Sequence, residues 1–333
     1  MTQNSNGDLR QKAGNLMTEY DMVKSGDDVL VAFSGGSDSS ALLFFLIEYL
    51  DQKNNIFAAH LNHMMRAEAD RDENFAVGIC EKYKIKIFTG RRDIPKIAEQ
   101  AKKGHEEAAR DARYAFLREV AASIGKNVKI ATAHTASDNA ETVIFNLSRG
   151  CGLDGLSGIA PVRGDIVRPL LSCAKGEVLE YCEKNSIPYV EDSSNSDENY
   201  TRNFIRKNIT SKLGEKFGRL EENIFKASKI ARDFADFANS LADDMIKGSS
   251  GVDAAGLLTM HKALQHAVIE RLYENAVFPE CRKLEGKHIE YVGQLLSKAE
   301  KSVDLPGLVS ARVSKNKLTM EKIGGKKTSR NRK

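Results

Sequence analysis

Short apolar runs alternate with amphipathic stretches through the first part of the chain. Asp28–Phe33 is such a run and predicts a buried strand, after which a loop with two glycines leads into a helix. The same order repeats further along. Strands are predicted at Asp28–Phe33, Ile56–Leu61, Ile85–Thr89 and Val128–Ala133, lesser ones at Ile166–Val167 and Tyr189–Val190, and helices at 9–24, 38–50, 70–83, 105–124 and 137–149. This alternation predicts an α/β fold, with a parallel sheet covered by helices on both faces.

The pattern changes after Lys212. Residues 215–247 are almost wholly helical in pattern, helices are also predicted at 253–277 and 284–299, and 302–322 alternates like short strands. We therefore expect a larger domain over 1–212 and a smaller, mostly helical domain over 213–325. Residues 326–333 are expected to form a basic, disordered tail.

The overall charge does not identify a partner. The chain has 333 residues, with 50 Lys plus Arg against 46 Asp plus Glu. Up to Lys212 there are 28 basic and 30 acidic residues, and five positive charges lie in the tail 326–333. Any contact with nucleic-acid phosphates must therefore come from local patches.

The cysteines and the apolar runs exclude several classes of protein. None of the five cysteines belongs to a C-x-x-C pair, so no disulfide framework and no zinc or iron–sulfur site is predicted. The longest apolar run, Ala41–Ile47, is far shorter than the roughly 20 residues of a membrane helix. The N-terminal residues are polar and have no signal-peptide core. A cytoplasmic location without membrane contact is expected.

The sharpest candidate site is the loop Ser34-Gly-Gly-Ser-Asp-Ser39, which follows the first predicted strand. Its two glycines let backbone N–H groups approach a ligand, and the next helix presents its positive dipole end, so an anion site is predicted. The loop is not a Walker A motif, because no Gly-Lys-[Ser/Thr] follows the glycines. The alternative is a plain helix cap made by Ser37 or Asp38.

His60-Leu-Asn-His63-Met-Met-Arg66 ends the second predicted strand, at the same sheet edge as the loop. His60 and His63 lack a nearby third ligand for a metal. Arg66 suits a phosphate or carboxylate better.

His134 and Asp138 follow the fourth predicted strand, where a base or a carboxylate could meet a cationic nucleophile. A capping role for Ser137 or Asp138 is the simpler alternative. Gly150–Gly155 matches the dinucleotide pattern G-x-G-x-x-G, but it follows a helix, so a flexible loop beside the site is expected instead.

Two helical segments carry spaced charges. Glu107, Arg110 and Arg113 follow one another at intervals of three residues, which indicates either a ligand-facing stripe or a solvated ladder of ion pairs. Arg202 and Arg206 are four apart and would point the same way on a helix, where they could clamp phosphates. Alternatively, they pair with the acids just upstream, at 191–192.

These motifs resemble a known family. Ser-Gly-Gly-x-Asp-Ser after a first strand is similar to the PP-loop of the N-type ATP pyrophosphatases. The order and spacing of the further motifs resemble the tRNA(Ile)-lysidine synthetase family over residues 28 to about 210. They are His-Leu-Asn-His-x-x-Arg, Glu-x-x-Ala-Arg-x-x-Arg-Tyr, Ala-His-x-x-x-Asp-x-x-Glu-Thr, Arg-Pro-Leu-Leu at 168–171 and Arg-Asn-x-Ile-Arg. Beyond 212 the likeness is much weaker.

The resemblance implies a PP-loop (adenine nucleotide alpha hydrolase-like) fold and an ATP-dependent ligase. Its substrates would be free L-lysine and the wobble cytidine in the CAU anticodon of a tRNA-Ile, with Mg²⁺ as cofactor and an adenylated cytidine as intermediate. A homodimer is compatible with it. Another PP-loop tRNA enzyme, such as a thiolase, or a non-catalytic tRNA-binding module is the alternative.

The resemblance also implies roles for the candidate residues. Catalysis would fall to Asp38, His134, Asp138, Arg202 and Arg206, with Asp38 also holding the metal. ATP would be bound by Ser34, Gly35, Gly36, Ser37, Asp38, Ser39, His60 and Arg66, and the other substrates by Arg110, Arg113 and Glu141.

Overall fold

The structure is a computed structural model, which describes residues 8–50, 54–65, 68–190, 201–247, 249, 251–277, 284–297 and 301–323. The chain divides into two compact units, Met1–Ile230 and Ala231–Lys333. The division falls inside a helix, Leu220–Ile246, later than the change of pattern at Lys212. The expected tail at 326–333 lies outside the described residues.

The first unit is built on a six-stranded sheet with strand order β3-β2-β1-β4-β6-β5. The first strand is parallel to β2 on one side and to β4 on the other, so the strand order reverses between β1 and β4. Ligands in such sheets bind beyond the carboxyl ends of the strands at this point. The strands are β1 Asp28–Ala32, β2 Ile56–Asn62, β3 Lys86–Arg91, β4 Val128–Ala131, β5 Val162–Arg163 and β6 Ile166–Val167.

Helices cover both faces of this sheet, as the sequence predicts. Val29 and Val31 of β1 pack in a core that includes Leu42, whereas Leu30 between them packs in a second core with Leu117. Because successive side chains of a strand point to opposite faces, a strand buried on both faces needs this unbroken apolar run. The helices are α1 Leu9–Glu19, α2 Ser37–Tyr49, α3 Ala69–Lys82, α4 Ile94–Ala101, α5 His105–Ile124, α6 Ala136–Ser148, α7 Leu153–Leu156, α8 Lys175–Lys184, α9 Thr201–Ile205, α10 Ser211–Phe217 and α11 Leu220–Ile246.

One predicted strand is wrong. Tyr189–Val190 forms no strand, because the amide of Val190 donates instead to the carbonyl of Gly35, at 2.9 Å, in the Gly-rich loop.

The segment after α9 departs from a regular helix. Arg206–Thr210 is a π-helical turn between α9 and α10.

The second unit packs helices against an antiparallel sheet with strand order β7-β10-β9-β8. Val268 and Val292 from the helices and Ala311 from the sheet are fully buried in its core. Its elements after α11 are β7 Val252–Asp253, α12 Ala254–Thr259, α13 Lys262–Val277, α14 Gly286–Leu296, β8 Lys301–Leu305, β9 Val309–Ser314 and β10 Lys317–Lys322.

No helix within the described ranges combines the length and apolar character needed to cross a bilayer.

Candidate active site

The Gly-rich loop after β1 is held in shape by its own serines. The hydroxyl of Ser39 accepts from the amide of Gly35 at 3.1 Å, donates to the carbonyl of Gly36 at 3.0 Å and lies 3.1 Å from the Ser34 hydroxyl. Gly35 has φ +89°, and a Cβ there would stand 3.1 Å from Phe75. A side chain at this position would therefore be strained and crowded.

The start of α2 is left open for a ligand. Its N-cap residue is Gly36, which makes no side-chain capping bond, so neither Ser37 nor Asp38 is the cap that the simpler alternative supposed. Uncapped amides at a helix N-terminus, together with the helix dipole, form an anion site.

A lysine that the sequence interpretation missed reaches into this loop. Lys175, at the start of α8, donates from Nζ to Asp38 Oδ1 at 2.6 Å and to Ser37 Oγ at 2.9 Å. Burial raises the pKa of Asp38, and the ammonium of Lys175 opposes that shift. No motif signals this contact, because the two residues lie 137 positions apart and meet only when α8 packs on α2.

Asp138 has a structural role, and its half-buried carboxylate also borders both cavities. It forms a capping box with Thr135, the N-cap of α6: its Oδ2 accepts from the Thr135 amide at 2.8 Å and hydroxyl at 2.9 Å. The cap therefore uses Thr135 rather than Ser137. The other oxygen, Oδ1, lies 3.8 Å from the guanidinium of Arg206.

His134 lies three residues after the end of β4, where its Nδ1 is 3.0 Å from Thr132 Oγ1. Burial lowers the pKa of its imidazole well below the ordinary value; Asp138 opposes this, and Arg168, Arg113 and Arg110 add to the lowering. The ring is therefore neutral at physiological pH.

Glu141 and Arg206 form a two-pronged ion pair. Nε of Arg206 donates to Oε1 at 2.5 Å and its NH2 to Oε2 at 3.2 Å. Glu141 is only 4% exposed, so the pair fixes the guanidinium beside Asp138. The alternative partners at 191–192, and the side chain of Arg202, lie outside what the structure describes.

The two arginines of α5 behave differently from Glu107. Arg110 and Arg113 stand 5.4 and 5.5 Å from the ring centre of Tyr114, whereas Glu107 pairs with Lys103 at 3.1 Å. The three residues therefore do not form one ligand-facing stripe. Glu107 belongs to a surface ion pair, whereas Arg110 and Arg113 lie beside the buried phenol of Tyr114.

His60, at the end of β2, is buried and its Nδ1 lies 2.9 Å from the carbonyl of Phe33. A carbonyl only accepts, so Nδ1 carries the proton and Nε2 is the remaining acceptor. Burial lowers the pKa of His60, which keeps the ring neutral. Arg66 lies outside the described residues.

Two cavities, of about 1020 and 470 Å³, meet at the Gly-rich loop. They share Ser34, Asp38, Ser39 and Asp138. The larger one is also lined by Gly36, Ser37, Glu141, Lys175 and Arg206, and the smaller one by His60, Asn62, His63, Arg113 and His134. Arg110 and the described residues 150–155 line neither cavity. The loop and both carboxylates are therefore brought together as the sequence predicts.

The carboxylates fit one mode of magnesium binding. Asp38 and Asp138 line both cavities. Over the described ranges no group of three or more His, Cys, Asp or Glu side chains is placed to hold a metal ion. Mg²⁺ is commonly held by one or two carboxylates together with substrate phosphates, which is the arrangement these residues allow.

Comparison with known proteins shows the family of the chain. The PP-loop domain matches residues 6–213. The chain is similar to the tRNA(Ile)-lysidine synthase of Caldanaerobacter subterraneus, with 33% identity over 324 residues that cover 94% of this chain and 69% of that protein. It is also similar to the tRNA(Ile)-lysidine synthase of Thermotoga maritima, with 37% identity over 227 residues, 68% of this chain and 55% of that protein.

The chain thus spans only about half the length of several curated relatives that it matches. Among solved structures, the U34-tRNA thiolase NcsA from Methanococcus maripaludis has a TM-score of 0.56 and 19% identity, covering 66% of this chain and 77% of that one. At that identity the likeness concerns the fold alone.

Proposed function

The chain belongs to the PP-loop domain family and, within it, to the tRNA(Ile)-lysidine synthase family, and on this basis we propose that it joins free L-lysine to C2 of the wobble cytidine in the CAU anticodon of a tRNA-Ile. The reaction consumes ATP and passes through an adenylated cytidine. Its products are lysidine, AMP and pyrophosphate.

ATP binds across the Gly-rich loop in this proposal. The uncapped amides at the start of α2 receive the phosphates, and the smaller cavity, beside His60 and Arg113, receives the nucleoside. The residues that both cavities share, Ser34, Asp38 and Ser39, then lie near the α-phosphate. Arg66, which follows β2 in the sequence, is proposed to contact the nucleotide too.

In the first step the C2 carbonyl oxygen of the cytidine attacks the α-phosphorus, and the bond to the oxygen bridging the α- and β-phosphates breaks. The electron pair leaves with pyrophosphate. The loop amides and the ammonium of Lys175 stabilise that charge, because Lys175 already lies within hydrogen-bond distance of Ser37 and Asp38. Mg²⁺, when bound with ATP at Asp38, would neutralise part of the phosphate charge.

In the second step the ε-amine of lysine attacks C2 and expels AMP. Lysine arrives as an ammonium and must lose a proton before it can attack. Asp138 attracts the ammonium, neutral His134 accepts a hydrogen bond from it, and the released proton passes to the carboxylate of Asp138 and from there to water. Burial, the largest cause of the lowered pKa of His134, would also disfavour the charged form of the incoming ammonium and so favour the free amine; Asp138 opposes this, and Arg168, Arg113 and Arg110 add to it.

The positively charged groups beside Asp138 stabilise the phosphate charge of the AMP that leaves. Arg206, fixed by its ion pair with Glu141, contacts the phosphate of the adenylated cytidine, with Arg202 as a proposed second contact. Glu141 is then a positioning residue, since its carboxylate is occupied by the guanidinium.

The observation that carries the proposal is the meeting of the Gly-rich loop, Lys175, Asp38 and Asp138 at two joined cavities of one sheet edge. The test is incubation of the full chain with ATP, labelled lysine and a CAU-anticodon tRNA, followed by detection of AMP and of label in the RNA. Both products are expected, and RNA without label would contradict the proposal.

The same assay separates the alternatives. A thiolase would need a sulfur donor and would leave lysine free, and the absence of any C-x-x-C pair from the sequence argues against the cluster-dependent type. A binding module would retain the tRNA without forming AMP. The acids and the neutral histidine at the strand ends favour an enzyme, because binding alone needs only basic groups.

A further inference from the structure

The helical segment that borders the larger cavity is strongly basic. Residues 203–219, comprising the end of α9, the π-helical turn and α10 with the two residues after it, contain five basic residues and one acidic residue, Glu215. The basic residues are Arg206, Lys207, Lys212, Lys216 and Arg219, all of them exposed. Among the described side chains, Lys212 and Lys216 have no carboxylate partner. The charge is thus concentrated locally in a chain whose total is nearly balanced.

Two large aromatic side chains are exposed among these charges. Phe204 is 52% exposed, although its neighbour Ile205 is buried, and Phe217 is 62% exposed. The ammonium of Lys216 lies 5.9 Å from the centre of the Phe217 ring. Alternation of cations with open aromatic faces is the pattern by which proteins hold unpaired nucleic acid, because bases stack on the rings while cations follow the phosphates.

The same segment also borders the larger cavity. Arg206, Thr210, Ser211, Gly214 and Gly218 line the larger cavity, together with the Gly-rich loop. Chemistry on a base requires that the base leave its stack and enter a pocket. The neighbours of a nucleotide inserted in this cavity would then lie close to the exposed cations and rings of the same segment.

We propose that Phe204, Lys207, Lys212, Lys216, Phe217 and Arg219, here called the basic face, dock the unpaired nucleotides that flank the modified base. The occupant is single-stranded RNA, because exposed rings are of use only to bases that are not already paired. The inference rests on the proposed function for its choice of RNA, but the binding surface can be tested without the reaction.

The test measures binding of the full chain to a short RNA hairpin with an unpaired loop and to a fully paired RNA duplex of the same length, over a range of salt. Lys212→Gln with Lys216→Gln should weaken hairpin binding and lower the slope of log Kd against log salt by about 1.4, at about 0.7 per phosphate contact on a single strand. Phe217→Ala should weaken hairpin binding about tenfold with little change for the duplex, whereas Phe217→Tyr should bind like the original chain.

The matched control removes two equally exposed lysines, Lys84 and Lys126, which precede β3 and β4 at the amino edge of the sheet. Lys84→Gln with Lys126→Gln should leave the salt slope unchanged. An equal loss in both double variants, an equal loss for hairpin and duplex in Phe217→Ala, or no binding of the hairpin by the original chain would overturn the proposal.

Unchanged ATP binding in the variants shows that they are folded. If no lysine is transferred while these RNA effects are found, the proposed function fails and the basic face stands. If lysine is transferred and the substitutions at the basic face do not change RNA binding, the proposed function stands and the proposal for the basic face fails.

Discussion

The two edges of the parallel sheet in the first unit use their polar residues in different ways. At the amino edge, the side chain of Asn55 donates to Asp28 at 2.8 Å, and that of Asn54 donates to the carbonyls of Lys24 and Asp27. At the carboxyl edge the helix start at Gly36 is uncapped, and Asp38 faces open cavities. The polar groups at the first edge stabilise the fold, whereas at the second edge the start of α2 and the carboxylate of Asp38 also border space for a ligand.

This difference has an energetic side. Burial raises the pKa of Asp38 and lowers that of His134, so both groups are held where their charged forms are disfavoured. Such groups contribute little to stability or oppose it. Substitutions at the carboxyl edge should therefore remove activity at small cost in stability, and substitutions at the amino edge should do the opposite.

The largest effect is expected from Asp138→Ala. Loss of the carboxylate that we propose attracts the lysine ammonium should lower lysine transfer more than about 100-fold, in the range found for groups that assist proton transfer. The two bonds that Thr135, the N-cap of α6, donates to this carboxylate are lost as well, which costs about 1 kcal/mol in the free energy of unfolding. Transfer of labelled lysine to RNA and thermal unfolding measure the two effects.

The control for that variant is Asp8→Ala, which removes the N-cap bond to the Gln11 amide at the start of α1, away from both cavities. It should cost similar stability and retain activity. If Asp138→Ala kept full activity, the proposed role of its carboxylate would be wrong.

Lys175→Ala should come next. Removing a charge-assisted donor from the phosphate site should cost about 1.5–3 kcal/mol of transition-state stabilisation. The rate of pyrophosphate release should therefore fall roughly 10- to 100-fold. Stability should change little, because the ion pair with Asp38 is partly exposed. Lys12→Ala is the matched control. Lys12 forms an ion pair at 2.6 Å with Glu177, which lies on α8 as Lys175 does, but Lys12 lines neither cavity. An equal fall in the rate of pyrophosphate release in the two variants would contradict the proposed contact between Lys175 and the phosphates.

Asp38→Asn should slow adenylation without lowering stability near neutral pH. A raised pKa means that ionised Asp38 weakens the folded state, and the neutral amide lacks this penalty. As pH falls through the raised pKa, the folded chain takes up its proton first, so the stability of the original chain should approach that of the variant. Unfolding curves at several pH values measure the difference.

The matching variant at the amino edge of the sheet is Asp28→Asn, which disturbs the hydrogen bond that Asn55 donates to Asp28. It should lower the unfolding temperature slightly and leave lysine transfer intact. A lower stability for Asp38→Asn than for Asp28→Asn at neutral pH would contradict the contrast between the edges.

Removal of residues 326–333 should have the smallest effect. The five positive charges of this segment would add a non-specific, salt-sensitive contribution to tRNA binding. Binding at low salt should weaken a few-fold, and the rate of lysine transfer on saturating tRNA should be unchanged. A changed rate at saturation would show that the segment acts on the chemistry.

Much of this edge could be predicted from the sequence because its residues are local to strand ends. Ser34–Ser39 and Asp138 follow apolar runs whose strands are parallel, so their meeting follows from the pattern alone. Lys175 and the Glu141–Arg206 pair could not be found this way, since helix packing joins them across 137 and 65 positions. The strand expected at Tyr189–Val190 failed because periodicity does not reveal the competing bond from Val190 to Gly35.

The central claim is that one sheet edge carries out both half-reactions in sequence. The most direct measurement uses ATP labelled at the α-phosphate with a CAU tRNA, first without lysine and then with it. The account predicts label on the RNA in the absence of lysine, and its release as AMP when lysine is added. ATP cleavage that never places label on the RNA, or lysine transfer in Asp38→Asn at the original rate, would contradict it.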